Sequence, residues 1–135
     1  MKKNVQVCCI IDDDPIFIYG TKRIMKEVDF AENIIVYNNG QEAVDGLKEI
    51  INEGGLLPEV IFLDLNMPIM NGWEFLDEYE NCRHEISKKT IIYIISSSVD
   101  PRDLERVKHY NQVDTYILKP ITPDDLGKII SATTV

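Results

Sequence analysis

The chain has 135 residues, with 14 Lys and Arg against 23 Asp and Glu, so the formal net charge is −9, and 44% of the residues are hydrophobic. That is enough to bury a core without covalent staples, and it excludes a disordered tail; the acidity excludes a reader of the nucleic-acid backbone, which needs a basic stripe. No apolar run approaches the roughly 18 to 20 residues of a membrane span, and three cysteines, two of them adjacent, make no disulfide framework, so a reducing cytoplasm is expected.

Val5 to Ile11 is the first of five short, β-branched apolar runs, the signal of a buried strand, and it ends in Asp12-Asp13-Asp14. Cys8 and Cys9 inside it read as core. Asp14-Pro15 then opens a helix, a capping side chain before a proline whose missing N–H costs nothing at the first helical position. Phe17, Gly20, Ile24 and Val28 share one face of that helix. A second run, Ile34 to Tyr37, leads through Asn39-Gly40 into a helix carrying Ala43, Leu47 and Ile50. The third, Val60 to Leu63, ends in Asp64, and Asn71-Gly72 marks the helix after it, with Trp73 as a packing residue.

Glu80 to Lys89 is polar and longer than a minimal connection, which predicts an extended surface loop. The fourth run, Ile91 to Ile95, ends in Ser96-Ser97-Ser98, and Asp100-Pro101 opens a helix with Leu104 and Val107 on one face. The fifth, Thr115 to Leu118, runs into Lys119-Pro120, and Thr122-Pro123 opens the last helix, which carries Leu126, Ile129 and Ile130. His84 and His109 lie in polar segments and are expected to be solvated, while Cys82, also in a polar stretch, carries no readable signal. Strict β-α alternation predicts one doubly wound α/β domain over residues 1–135, a five-stranded parallel sheet with five helices on its two faces.

In such sheets ligands bind beyond the carboxyl ends of the strands. Four of the five strands deliver a reactive polar group to that edge: Asp12 to Asp14, Asp64, Ser96 and Lys119. Any one alone reads as a turn former, a helix cap or a solvated side chain. Carboxylates that meet a few ångströms apart repel one another unless a cation compensates, and a hard divalent ion such as Mg²⁺ is the natural compensator. Lys119 supplies a second cation for an incoming anion and Ser96 a neutral donor, a constellation suited to phosphoryl transfer to a carboxylate.

The residues Ile10 to Asp14, Phe62-Leu63-Asp64-Leu65-Asn66-Met67-Pro68 with Asn71-Gly72, Ser96-Ser97, and Tyr116-Ile117-Leu118-Lys119-Pro120 together resemble the receiver domain of two-component response regulators over nearly the whole chain. The resemblance implies a flavodoxin-like strand order 2-1-3-4-5, with Asp64 accepting the phosphoryl group of a partner's phosphohistidine. It implies Mg²⁺ on Asp13, Asp64 and the main-chain carbonyl of Asn66, with Asp12 holding the ion through water. Lys119 would pair with a phosphoryl oxygen, Ser96 would be the switch hydroxyl, Tyr116 the switch aromatic, and Lys119-Pro120 a cis bond. Asn66 and Ser98 would flank the path of attacking water and set the lifetime of the phosphorylated state.

Plainer readings stand beside these roles. Asp14 is better explained as a helix cap than as a ligand, and the alternative for Asp12 is a mainly structural role as an acceptor for backbone N–H groups. Alternation alone accounts for Tyr116 as a half-buried strand tyrosine. Because the chain ends at Val135, it is expected to be a stand-alone, chemotaxis-type regulator, a monomer or weak dimer whose output is a separate protein, with Arg102, Arg106, Lys108 and Lys128 as candidate contacts. Its chemistry would be limited to its own aspartyl phosphorylation and dephosphorylation. A phosphatase with an aspartyl nucleophile would carry a second acid where Asn66 stands. A flavin-binding module would not place three acids after the first strand. A receiver-like interaction module that is never phosphorylated is the remaining alternative.

Overall fold

A computed structural model describes residues 5–82, 90–97, 100–111 and 113–133 of the chain. The five apolar runs become β1 (Val5–Ile11), β2 (Ala31–Tyr37), β3 (Val60–Asp64), β4 (Ile91–Ser96) and β5 (Val113–Leu118). They pair in parallel in the order β2-β1-β3-β4-β5. The connecting helices are α1 (Pro15–Glu27), α2 (Gly40–Glu53), α3 (Gly72–Cys82), α4 (Pro101–Val107) and α5 (Pro123–Thr133). This is the doubly wound architecture expected from the alternation, with the flavodoxin-like strand order that the resemblance implies.

Burial on both sides explains why the inner strands are continuously apolar. On one face Cys9, Ile11, Ile61, Leu63, Ile92 and Ile94 meet Ala43, Val44 and Leu47 of α2 and Phe75, Leu76 and Tyr79 of α3. On the other, Cys8, Ile10, Val60, Phe62, Tyr93 and Ile95 meet Met25 of α1 and Leu126 and Ile129 of α5. Cys8 and Cys9 are fully buried on opposite faces, and burial pushes both thiols well up, so they pack as small apolar groups.

The two outer strands begin earlier than their apolar runs. Glu32 and Asn33 in β2, and Asp114 and Thr115 in β5, are exposed, because an edge strand keeps contact with water and accepts polar residues that a central strand cannot. The core side of α1 is also shifted from the expected stripe. Thr21 and Met25 are its buried residues, with Phe17, Ile18, Ile24 and Val28 packed partly around them. In α4, only seven residues long, no residue is buried; Leu104 is 37% exposed while Val107 packs on the core, so the two do not share a buried face. Glu80 to Cys82 belong to α3 rather than to a loop. Residues 83–89, and with them His84 and the rest of the expected extension, lie outside the described residues, as does Ser98; His109 is exposed.

Candidate functional site

Helix starts at the carboxyl edge of the sheet are fixed by short-range hydrogen bonds, and these aim the strand ends. Asp14 caps α1, its Oδ1 accepting from the N–H groups of Ile16 at 3.0 Å and Phe17 at 3.4 Å. Asn71 and Glu74 form a reciprocal capping box at α3, each side chain accepting from the other's N–H at 2.9 Å. Thr122 and Asp125 do the same at α5. With its carboxylate committed to the cap, Asp14 is the helix start that its following proline suggests. Asp14→Ala is therefore expected to cost about 1 kcal/mol in urea unfolding while leaving Mg²⁺ affinity, measured by calorimetry, near that of the wild type.

Gly72 closes the other wall. Its N–H donates to the Leu65 carbonyl at 3.0 Å, and a Cβ there would lie 2.6 Å from the Asp64 carbonyl oxygen and 2.8 Å from Leu65 Cα. The close approach of α3 to the end of β3 thus requires glycine. Between them, Ile69 holds a left-handed φ of 68° in a tight turn in which the Met70 N–H donates to the Pro68 carbonyl at 2.7 Å. A β-branched residue in that region is strained, yet Ile69 is 80% exposed.

These turns bring three acids and one base together. Single oxygens of Asp12, Asp13 and Asp64 lie within 4.8 Å of one another. Lys119 Nζ is 2.8 Å from Asp12 Oδ2 and 3.9 Å from Asp64 Oδ2, with its side chain only 16% exposed. Asp12 is wholly buried and Asp64 nearly so, while Asp13 and Asn66 are exposed. Burial first, and then the Asp12 carboxylate, raise Asp64 to about 6, with the Lys119 ammonium and the Asn66 N–H opposing and Asp13 adding to the rise. Lys119-Pro120 is cis.

The cluster suits a hard divalent ion. All of its donors are oxygens, and three carboxylates face one ammonium. Asp12 Oδ1 accepts from the Asp14 N–H at 2.8 Å, but the buried Oδ2 receives no properly angled hydrogen bond, its contact with Lys119 being ionic. One ammonium thus faces three clustered carboxylates, and the remaining negative charge is what a divalent ion would offset.

Ser96, at the end of β4, lies one position beyond Ile95, the register partner of Asp64, and is 7% exposed; Ser97 beside it is exposed. Tyr116, paired with Ile94, is half-buried against the α2–α3 side of the core. Phe17, which the sequence places only on the core side of α1, also reaches this site, with Lys119 Nζ 4.4 Å from its ring centroid. No spacing in the sequence signals that contact, because it joins the two ends of the chain.

The basic residues proposed as partner contacts are all engaged within the molecule. Arg102 pairs with Asp100, Lys108 with Glu105 and Lys128 with Asp124, while the Arg106 guanidinium lies 4.3 Å over Trp73. Trp73 in turn meets the Tyr110 ring at a tilt, and the Tyr110 hydroxyl donates to Asp77 at 2.8 Å, so these side chains tie α4 to α3.

A family model described as a response regulator receiver domain matches residues 8–131. Among curated relatives, the probable methanogenesis regulatory protein FilR2 of Methanothrix harundinacea is 26% identical over 126 residues, covering 92% of this chain and 78% of FilR2. The nitrate/nitrite response regulator protein NarL of Escherichia coli is 32% identical over 123 residues, covering 90% of this chain; the chain spans 51% of NarL. A solved two component response regulator from Cytophaga hutchinsonii superposes with a TM-score of 0.89 at 30% identity, over 97% of this chain and 98% of that one.

Proposed function

The chain belongs to the response regulator receiver-domain family, and from that membership we propose that it accepts a phosphoryl group on Asp64 from a histidine kinase or phosphotransfer protein and changes its affinity for a second protein. The observation that carries this reading is the meeting of Asp12, Asp13 and Asp64 with Lys119 at the carboxyl edge of the sheet. An Asp64 carboxylate oxygen attacks phosphorus, a P–O bond forms as the P–N bond of the phosphohistidine breaks, and the leaving imidazole nitrogen keeps the electron pair and takes a proton from water. Mg²⁺, held by Asp12, Asp13, Asp64 and the Asn66 carbonyl, would supply neutralising charge for the transferring group.

Lys119 gives the new anion a nearby cation, its ammonium shifting from Asp12 toward a phosphoryl oxygen, and the Ser96 hydroxyl donates to another. Recruitment of Ser96 favours an inward Tyr116, and the population shifts toward a second arrangement of α4 and β5. Such a shift is only as large as the difference in contacts between the two arrangements. The acyl phosphate hydrolyses in time, with Asn66 and Ser98 controlling the approach of water, so the signal is transient. This is self-modification, not turnover of a separate substrate.

Ile16 and Ile69, 83% and 80% exposed, rim the site and offer an apolar seat for the donor protein. An open groove across β5, lined by Leu104, Tyr116, Leu118 and Lys128 among others, is the surface for the receiving partner. Among the described residues no helix is long and apolar enough to cross a membrane. By family analogy the proposed setting is the cytoplasm and the proposed form a stand-alone, chemotaxis-type regulator, monomeric or weakly dimeric. Intact mass after incubation with acetyl phosphate and Mg²⁺ tests the chemistry. One phosphoryl group should be gained, lost again over time, and never gained in the presence of chelator. No gain either from acetyl phosphate or from phosphorylated histidine kinases would leave a phosphorylation-independent binding module as the correct reading.

A further inference from the structure

The Lys119 ammonium is enclosed by two carboxylates and one aromatic ring, and the ring has no part in the chemistry described so far. A lysine carries its charge on a flexible four-carbon stem, so a lysine that must meet an anion at a fixed point has to be held there. Asp12 and Asp64 attract it from one side, at 2.8 and 3.9 Å. Both are also acceptors, and each competes with an incoming phosphoryl group for the same three N–H donors. The Phe17 ring, 4.4 Å from Nζ, attracts the cation through the negative charge of its face and is itself braced against the core beneath α1. It holds the ammonium while leaving the donors free for phosphate. The geometry that brings it there follows from the end of β1, where the Asp14 cap and Pro15 at the first helical position fix the turn of α1 that carries Phe17.

We propose that Phe17 is a positioning residue for phosphoryl capture, its ring face fixing the Lys119 ammonium within reach of the group that arrives on Asp64. This deepens the reading of Asp64 as phosphoacceptor and rests on it. Because the pair is largely withdrawn from water, the contact belongs at the upper end of the range for such interactions, and loss of the ring is expected to slow phosphoryl uptake about tenfold.

Four replacements separate charge attraction from packing. Phe17→Leu keeps an apolar side chain without a ring face, Phe17→Tyr and Phe17→Trp keep the face, and pentafluorophenylalanine placed at position 17 keeps the shape while reversing the charge of the face. In the unphosphorylated, metal-free protein, the Lys119 ε-methylene protons should resonate upfield in the wild type and return toward ordinary positions in Phe17→Leu. Uptake from acetyl phosphate with Mg²⁺, followed by intact mass, should fall about tenfold in the leucine and pentafluoro proteins and stay within about threefold of wild type in Phe17→Tyr and Phe17→Trp. Thermal unfolding checks each fold, and if the leucine protein unfolds, the pentafluoro protein of unchanged shape decides. Wild-type uptake with both ring-altered proteins within about twofold of it would overturn the role of Phe17 alone. No uptake by the wild type from any donor would instead overturn the reading of Asp64, and an unshifted Lys119 resonance would overturn the contact itself.

Discussion

Asp64→Asn is expected to abolish phosphoryl uptake and, in metal-free buffer near neutral pH, to make the protein more stable. The first effect follows from removing the nucleophile; uptake measured by mass should drop by at least about a thousandfold, because an amide oxygen cannot form the acyl phosphate. The second follows from the carboxyl group being held at about 6, chiefly by burial and then by Asp12. An acid whose folded value is raised binds its proton more tightly in the fold than in the unfolded chain. Its penalty is therefore absent below about pH 4, grows as pH rises through the window between about 4 and 6, and is complete above it. The full shift corresponds to about 3 kcal/mol, which partial access of water at the site mouth reduces to roughly 1–2 kcal/mol. Urea unfolding with chelator should show wild type and Asp64→Asn alike near pH 4 and the variant more stable near pH 7. Saturating Mg²⁺ should narrow or reverse that order, since an ion that binds only the folded wild type stabilises it. Equal stability of the two proteins at both pH values without metal would contradict this electrostatic account.

Gly72→Ala is expected to be the most damaging single-methyl addition at the site. The added carbon would sit 2.6 Å from the Asp64 carbonyl oxygen and 2.8 Å from Leu65 Cα, both backbone atoms that no rotamer change can move aside. Either the start of α3 or the end of β3 must shift, and both carry part of the site. A loss of about 2–4 kcal/mol is expected in denaturant unfolding. In the fraction that stays folded, phosphoryl uptake should slow as well, because Asp64 is no longer held in register with Asp12 and Lys119. Full stability together with wild-type uptake would show that the two segments separate without cost.

Much of this was legible in residue order. The inner strands are unbroken β-branched runs because both of their faces are covered, and the caps at Asp14, Asn71, Asp100 and Thr122 announce their helices within a few residues. The acids and the lysine could be placed at one edge because parallel connectivity sends every strand end there. The edge strands were less visible, since Glu32, Asn33 and Asp114 break the apolar pattern where water reaches one side. The buried side of α1 was hidden by Thr21, whose hydroxyl disguises a core position. The contact of Phe17 with Lys119 and the stacking of Arg106 on Trp73 depend on how separate elements pack, and local periodicity carries no record of that.

The partners of the site are also spread across almost the entire chain: Asp12 follows the first strand, Asp64 ends the third, and Lys119 follows the fifth. During synthesis the acids emerge well before the lysine that offsets them, and among the described residues Lys119 is the ammonium paired with them. The charge arrangement at the carboxyl edge is therefore completed only when the last strand is in place. A chain lacking β5 would keep the repelling carboxylates of Asp12 and Asp64 without the ammonium that sits between them in the fold.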